Sequence, residues 1–526
     1  MISLLILIPI IGSIIILLVP NNNLSLVSDS GSSESNSNTD SSSSLFNTND
    51  GGNKNISSIT TMKEIALTTA IINFFISLFL WYQFDSTITE YQFISEFLPS
   101  NIININGSEL SSMFHFYFGV DGISLYFIIL TTFVSPVALL SNYKNVNNNI
   151  KLFLISILLL ESLQICAFAA LDLLLFYIFF ESVLPILFVI TIVFGHGDDR
   201  IRSSFLLFLY TLAGSLPMLL SILSIYNFVG NTDFQYISLN SISFEYQKLL
   251  WVGFFIAFAF KTPLYPFVIW LPKAHADSVL AGSIILAATV LKLAVYGELR
   301  ILVNFLPDAT NYFSPLVQTI AVISIIYASF STIVQQDTKR IIAYSSIAHM
   351  GVITLGVFSN SIQGIEGAIL LSVAHGFVSP ALFICVGGVI LDRTGTRNIL
   401  YIRGLASMMP VFVILFFMFT LANAGVPLSL NWLGEIMSLI GIWTRTPLFA
   451  ILGSTGIVLS ACYSLFLYNR LSYGSYSPHL SIYKDLNRRE YYLLLSLLVP
   501  TFLLGIFPNL LLDTLHVSIT SLIYNV

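Results

Sequence analysis

The chain has 526 residues, of which 56% are hydrophobic and only 9% charged. Soluble domains carry about 25% charged residues, so this composition excludes a water-soluble globular protein and describes a polytopic membrane chain. The net charge of −6 says little inside a bilayer, and the three scattered cysteines, Cys166, Cys385 and Cys462, show no CxxC or Cys/His spacing suited to iron–sulfur or zinc ligation.

Apolar runs long enough to cross a bilayer as helices, about 18–25 residues, place fourteen spans in chain order: 2–19, 64–84, 119–141, 150–170, 171–195, 203–228, 250–272, 280–304, 315–335, 341–358, 363–392, 405–440, 447–469 and 490–512. The expected fold class is an all-α polytopic membrane protein. Residues 1–19 are read as the first membrane helix. The run is too long for a signal peptide, and no small-residue cleavage site follows. Residues 20–63, with SGSSESNSNTDSSSS at their centre, form a low-complexity insertion that cannot bury enough apolar surface to fold. A flexible segment without a catalytic role is expected there. Residues 64–141 hold the second and third spans, 150–304 and 315–469 two larger units of five spans each, and 490–512 the last span.

The seventh span contains a charge at its centre. Lys261 lies in LLWVGFFIAFAFKTPLYPFVIWL, too deep to reach either surface. A charge there costs roughly 2.5–3.5 kcal/mol on insertion scales and usually marks an ion pathway. Thr262 and Pro263 follow at once, and Pro266 comes three residues later, so the helix breaks beside the charge. The twelfth span, 405–440, is too long for one crossing and contains Gly425, Pro427 and Gly434. A second broken helix is expected there. PFVIWLPK in the seventh span is echoed by PLSLNWLGE in the twelfth. An offset of five spans reverses topology, so spans 4–8 and 9–13 read as inverted repeats with sites at the breaks, a common transporter plan.

Five more spans hold a titratable residue near the middle: Glu181, Lys292, His349, His375 and Glu435. At similar depth in packed helices, acid, base and imidazole groups would form a polar row able to relay protons, since each changes protonation as its neighbour's charge changes. Each has a plainer reading. Lys261 and Glu181 could be a structural ion pair. Lys292 could snorkel. The histidines could be satisfied core residues, and Glu435 could cap the second half-helix. Glu161 is also within a span but nearer its boundary, Asp172 is expected at the interface, and Glu298 and Arg300 near enough to a helix end to reach headgroups.

Charge asymmetry supports the span count. Sixteen of the 21 basic residues fall in loops on one side, Lys261 and Lys292 lie within the membrane, and only Lys248, Arg300 and Arg445 lie towards the other side. The positive-inside rule then puts both termini on the outer side. No Walker loop, dinucleotide fingerprint or nucleic-acid motif occurs.

FYIFFESVLPILFVI, YTLAGSLPMLL, FKTPLYPFVIWLPKAH, AGSIILAATVLKLAVYGELR, KRIIAYSSIAHMGV and the NWLGE segment resemble the antiporter-like subunit family of mitochondrial NADH:ubiquinone oxidoreductase (complex I), the chain-4 type above all. The resemblance covers most of residues 119–470 and extends to Mrp-type cation/proton antiporters, which share the core. It implies a proton-translocating subunit of the mitochondrial inner membrane, surrounded by lipid and by other complex I membrane subunits, sister antiporter-like chains among them. NADH, FMN, iron–sulfur clusters and ubiquinone would bind elsewhere. By the same resemblance, Glu181 and Lys261 match the family's charge pair, Lys292 its connecting lysine, His349 and His375 its central relay, and Glu435 its outlet, where sister subunits usually have Lys. Three positions depart from the pattern HxWLPxAHxEAPxAGS: Val268 replaces the first His, Asp277 the Glu and Val279 the Pro. A stand-alone antiporter is the rival function, and a scaffold with paired charges the second.

Overall fold

A computed structural model of the chain describes residues 1–20, 49–96, 116–146, 148–240, 242–478 and 483–524. Among the described residues, eleven helices are long and apolar enough to cross a membrane. In chain order the helices are α1 (Ile2–Leu18), α2 (Asn49–Gln83), α3 (Gly122–Ser141), α4 (Ile150–Ala169), α5 (Leu173–Phe194), α6 (Arg200–Val229), α7 (Phe234–Leu239), α8 (Phe244–Lys261) and α9 (Trp270–Asp277). They continue as α10 (Leu280–Val303), α11 (Pro307–Val334), α12 (Thr338–Val357), α13 (Ile362–Thr394), α14 (Pro410–Asn423), α15 (Leu430–Trp443), α16 (Pro447–Ser472), α17 (Arg488–Ile506) and α18 (Asn509–Tyr524).

Three of the fourteen expected spans are not single long helices. The first, α1, has 17 residues. The seventh divides into α8 and α9, and the twelfth into α14 and α15. Most of the expected insertion lies outside the described residues, but α2 begins at Asn49, well before the expected start at residue 64. The last span stops at Ile506, and Pro508 precedes a separate helix, α18, that packs on α3 and α13. The fold is not wholly helical: β1 (Gln92–Glu96) and β2 (Tyr117–Val120) pair antiparallel, with Glu96 opposite Tyr117.

Helix α10 is buried along its whole length, and α13 from Gly364 to Ile390, and the others surround them. Both widen into π-turns, at Leu286–Val290 and Glu298–Val303 in α10 and at Ile384–Ile390 in α13. Such turns interrupt the regular ladder and recur at functional sites. Helix α15 lies against α13 through small residues. Gly434 and Gly441 leave no room for a side chain against the backbone at Leu371 and Gly364, and Gly367 none against Ser438. Small residues let membrane helices approach this closely.

Arg300 does not reach the headgroups. It is 6% exposed and forms an ion pair with Asp121, the N-cap of α3. Its guanidinium also donates to the Tyr91 hydroxyl at 3.1 Å and the Tyr296 hydroxyl at 3.3 Å. Asp121 in turn accepts from the Ser124 amide at 3.0 Å. Removing one partner of a buried pair costs about 3–5 kcal/mol, because the other charge is left uncompensated. Asp121→Asn is therefore expected to destabilise the chain by about that amount, read as a lower thermal-inactivation temperature of the assembled enzyme. Asp121→Asn combined with Arg300→Met should recover most of the loss. Asp172, expected at the interface, is also buried. It caps α5 through the Leu174 and Leu175 amides and accepts from the Thr232 hydroxyl.

Candidate functional site: a buried row of titratable groups

Lys261 is the last residue of α8 and is 1% exposed. Pro263 and Pro266 bring no amide hydrogen, so the chain cannot continue as a helix. In lipid every freed backbone group needs a partner, and the break supplies them. Thr262 closes α8 through its amide to the Phe258 carbonyl at 2.7 Å. The Trp270 indole donates to the Phe260 carbonyl at 2.8 Å, and the Tyr265 amide donates to the Ser324 hydroxyl at 2.7 Å. The break is thus a fixed structure that presents the lysine.

The lysine ammonium donates to the Phe180 carbonyl at 2.7 Å and lies 3.2 Å from the centre of the Phe180 ring. Glu181, the next residue on α5, is half-buried. It interacts electrostatically with Lys261 and hydrogen-bonds to Ser215 on α6, while its Oε1 has no hydrogen-bond partner among the described residues. The two charges share a site, but no direct ion pair within 4 Å joins them among the described residues. The carbonyl and ring of Phe180 hold the ammonium instead. Pro185, four residues after Glu181, lies within the same helix and removes the amide that the Glu181 carbonyl would accept from.

Lys292 on α10 is fully buried. Its ammonium donates to the Ala287 carbonyl, inside the first π-turn, at 2.6 Å and contacts Nδ1 of His375 on α13 at 2.7 Å. An ammonium has only donors to offer, so with Lys292 charged the imidazole accepts at Nδ1. The ring of His375 lies 5.8 Å from that of His349 on α12, centre to centre. His349 Nδ1 is 3.0 Å from Oε1 of Glu435 on α15. Four of the six residues, Lys292, His375, His349 and Glu435, therefore form one line across four helices, all at most 2% exposed. Lys261 and Glu181 form a separate cluster on α8 and α5. Glu435 does not cap its half-helix: Ser429 does, accepting from the Trp432 amide.

Two buried groups near the row were not assigned by sequence. His275 on α9 is fully buried, stacks on Phe383 with ring centres 4.5 Å apart, and has neither ring nitrogen hydrogen-bonded among the described residues. It lies within electrostatic reach of Lys292 and Lys339. The signal was there, since His275 closes the FKTPLYPFVIWLPKAH segment. Lys339, expected in a basic loop, is 2% exposed and donates to the Ser278 carbonyl at 3.0 Å. Glu161, by contrast, sits apart and accepts from Asn73 on α2 at 2.6 Å.

Comparison with known proteins gives this arrangement a context. The family described as NADH:quinone oxidoreductase/Mrp antiporter, TM, matches residues 170–460, the segment holding the four residues of the row and the Lys261–Glu181 cluster. A relative from Mycosarcoma maydis named NADH-ubiquinone oxidoreductase chain 4 is 57% identical over 468 residues, covering 89% of this chain and 94% of that protein. One of the same name from Marchantia polymorpha is 42% identical over 522 residues, covering 99% and 96%. Among solved structures, a chain of respiratory complex I from Thermus thermophilus with bound NADH matches with a TM-score of 0.83 and 26% identity, covering 100% of this chain and 99% of that one. A chain of an archaeal membrane-bound sulfane sulfur reductase has the same fold, with a TM-score of 0.79 and 18% identity. The chain belongs to the NADH-ubiquinone oxidoreductase chain 4 family, within the wider NADH:quinone oxidoreductase/Mrp antiporter family.

Proposed function

We propose that this chain is a core membrane subunit of respiratory complex I that moves protons across the mitochondrial inner membrane while other subunits carry electrons from NADH to ubiquinone. The observation that carries the reading is the Lys292–His375–His349–Glu435 line, with contacts of 2.7 Å and 3.0 Å at its ends. A lysine, two imidazoles and a carboxyl in series can each take and give a proton. The first transfer passes a proton from the Lys292 ammonium to His375 Nδ1, leaving a neutral amine. The two imidazoles are too far apart for a direct hydrogen bond, so the middle transfer goes through water. The last passes from His349 Nδ1 to the Glu435 carboxylate.

The Lys261–Glu181 cluster acts as the switch. Ionised Glu181 favours the charged lysine, and its displacement or neutralisation releases the lysine's proton towards the row. In this reading the chain serves as a translocase and holds no redox centre. NADH, FMN, iron–sulfur clusters and ubiquinone belong to other subunits. Sister antiporter-like subunits and lipids surround it, both termini face the intermembrane space, and spans 4–8 and 9–13 are inverted repeats. A stand-alone Mrp-type antiporter is less well supported, because relatives that align over most of both lengths are named as complex I chains.

His375→Ala tests the line at its centre. The native enzyme carrying it, reconstituted in vesicles, is expected to assemble and to move fewer protons per NADH oxidised than wild type. Wild-type proton yield in the assembled variant would refute the relay.

A further inference from the structure

One buried carboxyl outside the relay has neither oxygen hydrogen-bonded among the described residues. Glu298 lies on α10, six residues beyond Lys292, about 9 Å along the helix axis. Its side chain is 0% exposed. The expectation that it reaches headgroups fails for this reason. Glycine precedes it, and the Gly297 position is pressed onto the Phe258 ring of α8, where a side chain would not fit. The second π-turn of α10 begins at Glu298 itself, and this turn packs against α8 and α11. Arg300, two residues on, is the nearest cation in sequence. It is held by Asp121, Tyr91 and Tyr296.

Packing does not account for such a group. A buried polar side chain without a partner costs several kcal/mol, and an apolar residue of the same volume would avoid that cost. An intramembrane carboxyl with both oxygens open and a widened helical turn beneath it has the features of a proton-exchange site. Its place along the chain adds direction. Helix α10 starts three residues after Asp277, next to the basic loops, passes Lys292 at its middle and reaches Glu298 about 1.7 turns later. The group therefore lies between the row and the face opposite those loops, against α8, the helix that ends in Lys261.

We propose that Glu298 is a further proton-carrying residue, through which the Lys261/Lys292 half of the protein exchanges protons with the face opposite the basic loops. The proton leaves a lysine ammonium as that group becomes an amine, passes through water to a Glu298 carboxylate oxygen, and departs to water on the far side as the carboxylate is regenerated. This route would serve the first half of the chain as Glu435 serves the second. It rests on the relay reading above.

The test uses the intact native enzyme carrying Glu298→Gln or Glu298→Leu, reconstituted in vesicles, with assembly measured on native gels and protons moved per NADH measured on assembled enzyme. Loss of a proton-transfer group slows the step it serves by on the order of 10²-fold or more. Both variants are therefore expected to assemble and to lose this route's share of the proton yield. Wild-type yield in either assembled variant overturns the proposal, and so does failure of both to assemble, since Glu298 would then serve structure alone. His375→Ala measured alongside separates the two ideas. Normal pumping there refutes the relay, whereas loss there with normal pumping in the Glu298 variants refutes only this route.

Discussion

Replacing Lys261 with alanine is expected to slow NADH-driven proton pumping by on the order of 10²-fold while the assembly still forms. Assembly survives because the lysine side chain has few partners. Its ammonium makes one hydrogen bond to the Phe180 carbonyl and sits over the Phe180 ring. A desolvated cation–π interaction is worth about 2 kcal/mol, small beside the packing of a chain this size. Lys261→Met keeps most of the side-chain volume and removes only the charge, so it controls for the cavity that alanine leaves. Glu181→Gln is the matching change on the acid. Glutamine retains an oxygen that can accept from Ser215, yet it cannot ionise and so cannot bias the lysine. The lysine and glutamine variants should therefore fail alike in pumping and differ little from wild type in assembly on native gels. Wild-type pumping in both would mean that the cluster is structural, with Phe180 as the lysine's partner and Glu181 a bystander.

Lys261 was legible because lipid makes charge conspicuous. A lysine in a run of apolar residues next to Thr-Pro has few explanations. The same logic found Lys292, His349, His375 and Glu435, and the structure brings these four into one line. What the chain alone could not show was who touches whom. Lys292 and His375 are 83 residues apart, and the π-turn that presents the Ala287 carbonyl has no sequence signature comparable to proline. The first pairing was also less direct than expected, since a backbone carbonyl at Phe180 competes for the ammonium and sequence patterns do not report backbone acceptors.

The misplaced residues share one cause. Glu298, Arg300, Asp172 and Lys339 were assigned by distance along the chain from the end of an apolar run. Depth along a helix does not measure burial when neighbouring helices cover its end. Arg300 is covered by the α3 N-terminus, and Lys339 donates to the Ser278 carbonyl at the C-terminal end of α9. His275 closes a readable motif but falls between the seventh and eighth expected spans, and its burial with two unpartnered nitrogens emerges only in the folded chain. The broken helices were readable from proline and glycine, because their effect on backbone donors is local. The early start of α2 and the separate helix α18 were not, because neither end is marked by hydropathy alone.

Glu435 separates the outlet role from a merely structural one most sharply. Glu435→Gln keeps the size and a polar oxygen opposite His349, but removes titration. Pumping is expected to fall by on the order of 10²-fold in an enzyme that assembles normally. Glu435→Lys inverts the charge yet keeps a group that can take and give a proton. The structure contains a precedent for that pairing: Lys292 meets His375 Nδ1 at 2.7 Å, and a lysine at 435 would meet His349 Nδ1 in the same manner. The lysine variant should therefore pump better than the glutamine variant. A capping role would predict the reverse, since lysine offers no acceptor to backbone amides, but the cap of α15 belongs to Ser429. The remaining structural risk is space. Gly425, at φ +71°, lies close against Glu435 Oε2, so a longer side chain must turn away from the break towards His349. Assembly level and protons moved per NADH, measured for both variants, decide the matter. A glutamine variant that pumps normally beside a lysine variant that fails to assemble would show that this carboxylate holds the break together and carries no proton.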